Sequence, residues 1–165
     1  MKKSILIEYE EFSVDQLSAV DRQLIAQAKE AATRAYNPYS HFFVGATVLL
    51  DNGVMIQGSN QENIAYPSGL CAERTAMFSA SSQYPKSKLR ALCIVGGVRK
   101  EGLNEEVTTE ELSFCSASPC GACRQVMAEY EKKGGEKIRI LIYHNDSKIQ
   151  IFEGVDSLLP FIFDF

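Results

Sequence analysis

Leu89-Arg90-Ala91-Leu92-Cys93-Ile94-Val95-Gly96-Gly97-Val98 is apolar at every position except Arg90. A strand with one wet face alternates apolar and polar residues, so a near-continuous run of this length predicts a strand covered on both faces. Covering layers must come from the segments on either side. On the N-terminal side, Cys71 to Ser81 has no Gly or Pro and is predicted helical. A polar loop holding Asn60, Glu62 and Asn63 precedes it. Before that loop, Phe43 to Leu50, Asp51-Asn52-Gly53 and Val54 to Gly58 predict a hairpin with a type I′ turn, because Asn-Gly accepts positive φ at both central positions. Ser13 and Gln16 form a capping-box pattern, and Leu17, Val20, Leu24, Ala28 and Ala31 recur at helical spacing, predicting a first helix over 13–35 that Asn37-Pro38 ends.

On the C-terminal side, the polar, acidic stretch from Arg99 to Ser113 is predicted to be a surface excursion. Helical character returns from Cys120 to Lys133, with Gly134-Gly135 as C-cap. Ile138 to Tyr143 and Ile149 to Phe152 are two more strands about a turn at Asn145-Asp146, and Ser157 to Phe165 is a short terminal segment. The order α-β-β-α-β-α-β-β, with a hairpin first and helical crossovers later, predicts a mixed sheet covered by helices. With 165 residues, 45% of them hydrophobic, the chain is expected to form a single domain, 1–165.

Charge narrows the partners. Asp and Glu number 21 against 17 Lys and Arg, for a net charge of −4. Without a basic run there is nothing to replace the counterions of a nucleic acid polymer, so a small substrate is expected. The apolar stretch near the N-terminus is too short for a signal-peptide core, and no run approaches the roughly 20 residues that cross a bilayer. No membrane partner is expected. Five cysteines without a secretion signal, two of them spaced C-x-x-C, suit metal or catalytic use in a reducing cytoplasm better than disulfides.

Pro119-Cys120-Gly121-Ala122-Cys123 sets two thiols three residues apart at a predicted helix start, which puts both sulfurs on one face. Free N–H groups and positive potential at a helix N-terminus favour thiolate. Alone this pattern is shared by zinc sites, redox dithiols and chance pairs. Cys71-Ala72-Glu73-Arg74, also at a predicted helix start, adds a third thiol and a carboxylate two residues later. Three protein ligands leave the fourth tetrahedral position of zinc to water, and an unligated Glu beside it can accept and return the proton. Zinc deaminases of nucleobases combine such a ligand-x-Glu element with P-C-x-x-C.

The sequence resembles the cytidine deaminase family in its short form with three cysteine ligands. Beyond Cys71 to Ala76 and Pro119 to Val126, the likeness takes in Pro38 to Ala46, Asn60-Gln61-Glu62-Asn63 with Ala65-Tyr66, and Leu158-Leu159-Pro160 with Phe163. The resemblance implies a three-layer α/β/α fold with a mixed sheet of about five strands. It implies hydrolytic deamination of cytidine and deoxycytidine with one Zn²⁺ per subunit held by Cys71, Cys120 and Cys123, and Glu73 as acid and base. It further implies that Asn60 and Glu62 bind the ribose, Phe42 packs on the nucleoside, and backbone groups beside Ala72 and Ser118 read the base. Phe163 would come from a neighbouring subunit of a homotetramer. Zinc with three thiolates carries a formal charge of −1, and Arg74 is expected to offset it by donating to a ligand sulfur.

Other readings stand beside these. Cys93 or Cys115 as a fourth ligand would close the site and leave Glu73 without a task; Cys93 is otherwise a small buried hydrophobe. Asn60, Glu62 and Asn63 on composition alone are a polar loop, and Phe42 and Phe163 are as compatible with packing as with stacking. His41 and His144 have no spacing that assigns them a role; His41 stands where the family often has Lys, and the 96–117 segment is longer than in compact members. A cytosine-containing nucleoside antibiotic as substrate, or a non-catalytic zinc-stabilised interaction module, would be the competing functions.

Overall fold

The computed structural model describes residues 1–100 and 107–163. Its centre is one mixed sheet built from β1 (Glu10–Phe12), β2 (Phe42–Leu50), β3 (Met55–Ser59), β4 (Leu89–Arg99), β5 (Leu112–Cys115), β6 (Arg139–Asn145) and β7 (Lys148–Glu153). The order is β1-β7-β6-β4-β2-β3, with β5 also paired to β4. The sheet thus has seven strands, more than the five or so expected. The additional two are short: β1 lies in a polar N-terminal stretch, and β5 falls inside the expected surface excursion. Neither three- nor four-residue strand leaves a periodicity long enough to read. The residues 101–106 of that excursion lie outside those described.

Helices flank both faces, giving the three layers expected. α1 (Ala19–Ala32) packs on one face with Cys93, Val95, Leu141 and Ile151, while α2 (Ala72–Gln83) and α3 (Gly121–Gly134) cover Leu92, Ile94, Ile140 and Ile142 on the other. The central strand is therefore apolar at successive positions because each face has its own cover. Small residues let these layers come close: Ala28, Ala31 and Ala32 in α1 and Ala72, Ala76 and Ala80 in α2 are all buried. Among the described strands of the sheet, β4 and β6 run parallel, on either side of the α3 crossover, and the other strand pairings are antiparallel.

Local chemistry moves several boundaries. Ser13 and Gln16 do form a capping box, but it closes a single 3-10 turn over Val14–Gln16; Leu17 then returns to extended backbone, and α1 starts afresh from Ser18, whose side chain accepts from the Asp21 amide. The β2–β3 hairpin is not type I′. Asn52 lacks positive φ, Gly53 alone has it (83°), and the Gly53 amide donates to Leu50. This is the three-residue loop in which a type I turn ends on a left-handed glycine. At the end of α3 the expected C-cap holds, with Gly135 at φ 67°. No described helix is long and apolar enough to cross a membrane.

Candidate active site

Two helix starts meet beside the sheet. Cys71 is the N-cap of α2 and Cys120 the N-cap of α3, both with extended backbone and neither side chain capping its own helix. Their sulfurs point instead at each other, 3.8 Å apart, and Cys123 in the first turn of α3 stands 3.5 Å from Cys120. All three sulfurs lie within 4.8 Å of one another. Zinc–sulfur bonds of about 2.3 Å in a tetrahedron set two sulfurs about 3.8 Å apart, so the cluster fits that ion. Gly58 on β3 makes this approach possible: a Cβ there would fall 2.4 Å from the Ala76 nitrogen and 2.6 Å from the Ala72 oxygen, inside the backbone of α2.

The sulfurs share their protons unequally. Hydrogen bonds from Cys123, and then from Arg74 and Cys120, outweigh burial and hold the Cys71 thiol down at about 5. Cys123 moves the opposite way, pushed up by its hydrogen bond to Cys71 and by burial. Arg74 Nη2 lies 3.7 Å from Cys71 Sγ, the contact expected of a group that offsets thiolate charge. Its Nε is buried with no hydrogen-bond partner among the described residues. Glu73, in the first turn of α2, is only 3% exposed; burial, reinforced by the charge of Cys71, raises its carboxyl to about 7.

A cavity of about 410 Å³ opens over Cys71, Cys120 and Glu73, and Phe42, Asn60 and Glu62 are among its walls. Six residues singled out from the sequence thus come together from β2, the β3–α2 loop and two helix starts. Arg74 and Ser118 also line the cavity. The polar loop is tied down rather than loose. Asn60, at 9% exposure, accepts from the Val44 amide and donates to the Phe42 carbonyl, both at 2.9 Å. Glu62 Oε2 accepts from the amides of Tyr39 (2.9 Å) and Ser40 (3.2 Å). Burial raises the Glu62 carboxyl, but the Ser40 side chain and these two amides together hold it below its usual range.

Other assignments fall outside the cavity. Ala72 is fully buried behind it, and Phe163, 73% exposed, lies against α3, where its carbonyl accepts from Gln125 Nε2. Neither Cys93 nor Cys115 joins the sulfur cluster; Cys93 is completely buried on the α1 face, and burial raises its thiol out of the reactive range. His144 bonds Gln150, and His41 is the one non-glycine with positive φ (55°) among the described residues. Tyr66, Gln61 and Leu70 line the cavity without having been singled out as contacts. Gln61 and Tyr66 belong to a stretch that carries the family likeness, whereas only its place next to Cys71 in the sequence pointed to Leu70.

Residues 18–134, which span both cysteine motifs, match the family described as "Cytidine and deoxycytidylate deaminase zinc-binding region". The chain belongs to this deaminase family. The cytidine deaminase of Sporosarcina psychrophila is 44% identical over 108 residues, covering 66% of this chain and 68% of that one. That of Halalkalibacterium halodurans is 41% identical over 111 residues, or 67% and 72% of the two chains. Among solved structures, the cytidine deaminase of Burkholderia pseudomallei has a TM-score of 0.67 at 32% identity and covers 89% of this chain and 100% of its own. The Mycobacterium tuberculosis cytidine deaminase has a TM-score of 0.65 at 31% identity, over 90% and 100%. Membership in a deaminase family with a zinc-binding region agrees with the donor set, and Cys71, Cys120 and Cys123 are compatible with one zinc ion.

Proposed function

We propose that this chain hydrolyses cytidine and deoxycytidine to uridine and deoxyuridine, releasing ammonia. The observation that carries this reading is a carboxylate, Glu73, buried to 3% exposure beside three converging thiols at the base of a nucleoside-sized cavity. Cys71, Cys120 and Cys123 hold the zinc, which when bound supplies a water acidic enough to attack at neutral pH. Glu73 takes a proton from the water that adds to C4 and passes it to ring N3. It then carries the proton of the new C4 hydroxyl to the amine, so that the C4–N bond breaks as the C4 carbonyl forms. A carboxyl titrating near neutrality suits both acceptance and return of a proton.

Asn60 and Glu62 bind the ribose. The tethers of Asn60 to β2 and of Glu62 Oε2 to the Tyr39–Ser40 turn support this, because they fix both side chains at the cavity wall while Glu62 Oε1 keeps its acceptor capacity. Phe42 packs on the nucleoside, and backbone groups beside Ala72 and Ser118 read the base edge. Arg74 draws charge from the thiolates through Cys71. Phe163, with Phe161 at 85% exposure, reaches the site of a neighbouring subunit in a homotetramer. Five free cysteines suit a reducing cytoplasm.

Ammonia release from zinc-loaded protein given cytidine, deoxycytidine, cytosine and deoxycytidylate in parallel tests the proposal. Turnover is expected with the two nucleosides alone. Glu73→Ala is expected to lose about 10²- to 10⁴-fold in kcat while retaining its zinc. Stoichiometric zinc with no turnover of any of the four would overturn the reading.

A further inference from the structure

Gly96 lies where β4 passes behind the cavity. Alternation along the strand turns it to the face of Leu92 and Ile94, the face covered by α2 and α3. A Cβ at this position would come 2.7 Å from Cζ and 3.2 Å from Cε1 of Phe42, and 2.9 Å from Cβ of Ala117. Both Phe42 and Ala117 wall the cavity. Gly96 is not among the glycines with positive φ, so its backbone alone does not call for glycine. Nor can the strand retreat. Gly96 pairs with Val44 of β2 on one side and Cys115 of β5 on the other. What glycine provides here is room, and the ring of Phe42 occupies it.

The geometry points to Gly96 as a positioning residue that sets the depth of the Phe42 wall and thereby the fit of the nucleoside. The inference rests on the proposed function, since it assigns Phe42 to the substrate. A methyl group at 96 meets one neighbour fixed to the backbone, Ala117, and one at the free end of a side chain, Phe42. The ring yields, and the unfilled space beside it is the cavity. Ground state and transition state share this wall, so the effect falls on binding of both alike. Gly97, the next residue, provides a control: a Cβ there would meet Phe114, Ser113 and Leu112 at 3.5 to 3.7 Å, in ordinary contact and away from the cavity.

Steady-state cytidine kinetics and crystal structures of Gly96→Ala and Gly97→Ala test this. Gly96→Ala is expected to raise KM about tenfold with kcat within about twofold, and Gly97→Ala to leave both near wild type. Adding Phe42→Leu relieves the contact with the ring but leaves the one with Ala117 Cβ, so Gly96→Ala is expected to raise KM by clearly less in the Phe42→Leu background; this variant serves if Gly96→Ala alone folds poorly. An unchanged KM, or the same loss in the Phe42→Leu background, would overturn the inference. So would a Gly96→Ala structure with the ring unmoved, whether or not the enzyme turns over. If the wild-type protein deaminates none of the nucleosides, the functional reading fails, and the ring position still decides whether Gly96 seats Phe42.

Discussion

The guanidinium of Arg74 reaches Cys71 Sγ at 3.7 Å, close enough to remove some of the charge that three thiolates place on one ion. Its side chain also interacts with Cys123, and its Nε has no partner among the described residues, so its polar contacts here serve the sulfur cluster. Arg74→Gln is therefore expected to lower kcat/KM about 10- to 100-fold, the range typical of groups that orient or polarise a metal ligand. Thermal unfolding of the same variant is expected to stay near wild type; equal turnover would remove the electrostatic role. At this scale the sequence was most informative where chemistry demands near neighbours. Cys71 and Glu73, or Cys120 and Cys123, are set by the turn of one helix and can be read from spacing. The bonds of Asn60 to Phe42 and Val44, and of Glu62 to Tyr39 and Ser40, join residues 16 to 23 positions apart. Such contacts depend on how a loop returns to a strand, which no local pattern records. Gly96 was illegible for the same reason, since its significance is the absence of an atom next to a ring on another strand.

Among the elements, the helices and central strands were legible because each is long enough to show a period, and the errors gather at ends and in short pieces. The capping box at Ser13 predicts the start of α1, but a cap signal specifies only a first turn and carries no information on how far the helix then extends. The Asn-Gly pair predicts a type I′ turn, whereas Asp51 lengthens the loop by one residue and leaves Gly53 alone with positive φ. Close helix-to-strand approaches give a test that separates packing from site assembly. A Cβ on Gly45 would fall 1.9 Å from the Ala28 oxygen of α1, and one on Gly58 would fall 2.4 Å from the Ala76 nitrogen of α2. Both Gly45→Ala and Gly58→Ala are expected to destabilise by about 1–3 kcal/mol or more in urea unfolding, since a backbone neighbour cannot rotate away. Only Gly58→Ala is expected to weaken zinc retention against a chelator as well, because α2 carries Cys71 and α1 carries no ligand. Equal zinc affinity in the two variants would separate the ligand geometry from the seat of α2.

For the molecule as a whole, the cluster joins the first turns of two helices whose N-caps are 49 residues apart, so the ion cross-links the fold as well as serving the reaction. Chelation is expected to abolish turnover and lower the thermal midpoint together, with both restored by added zinc; at ion concentrations of about 100 times Kd, binding contributes roughly 2.7 kcal/mol to stability. A midpoint indifferent to chelator would mean that the two helix starts are held by packing alone. The global layering was legible because an unbroken apolar strand demands two covers, and the sheet's margins were not, because margins answer to neighbours rather than to the core. One margin matters outside catalysis. β1 pairs with β7 along Glu10 to Phe12, and both its glutamates are exposed. It occupies the row of main-chain donors and acceptors that β7 would otherwise offer to a passing molecule, and it presents the exposed Glu10 at the rim while Glu11 pairs with Lys148 of β7 at 2.8 Å. Removing residues 1–13 is expected to leave turnover per zinc largely intact and to increase light scattering at high protein concentration. In shelf life rather than in rate, the three residues of β1 are expected to matter most, by keeping fibres and precipitates from growing at the rim of the sheet.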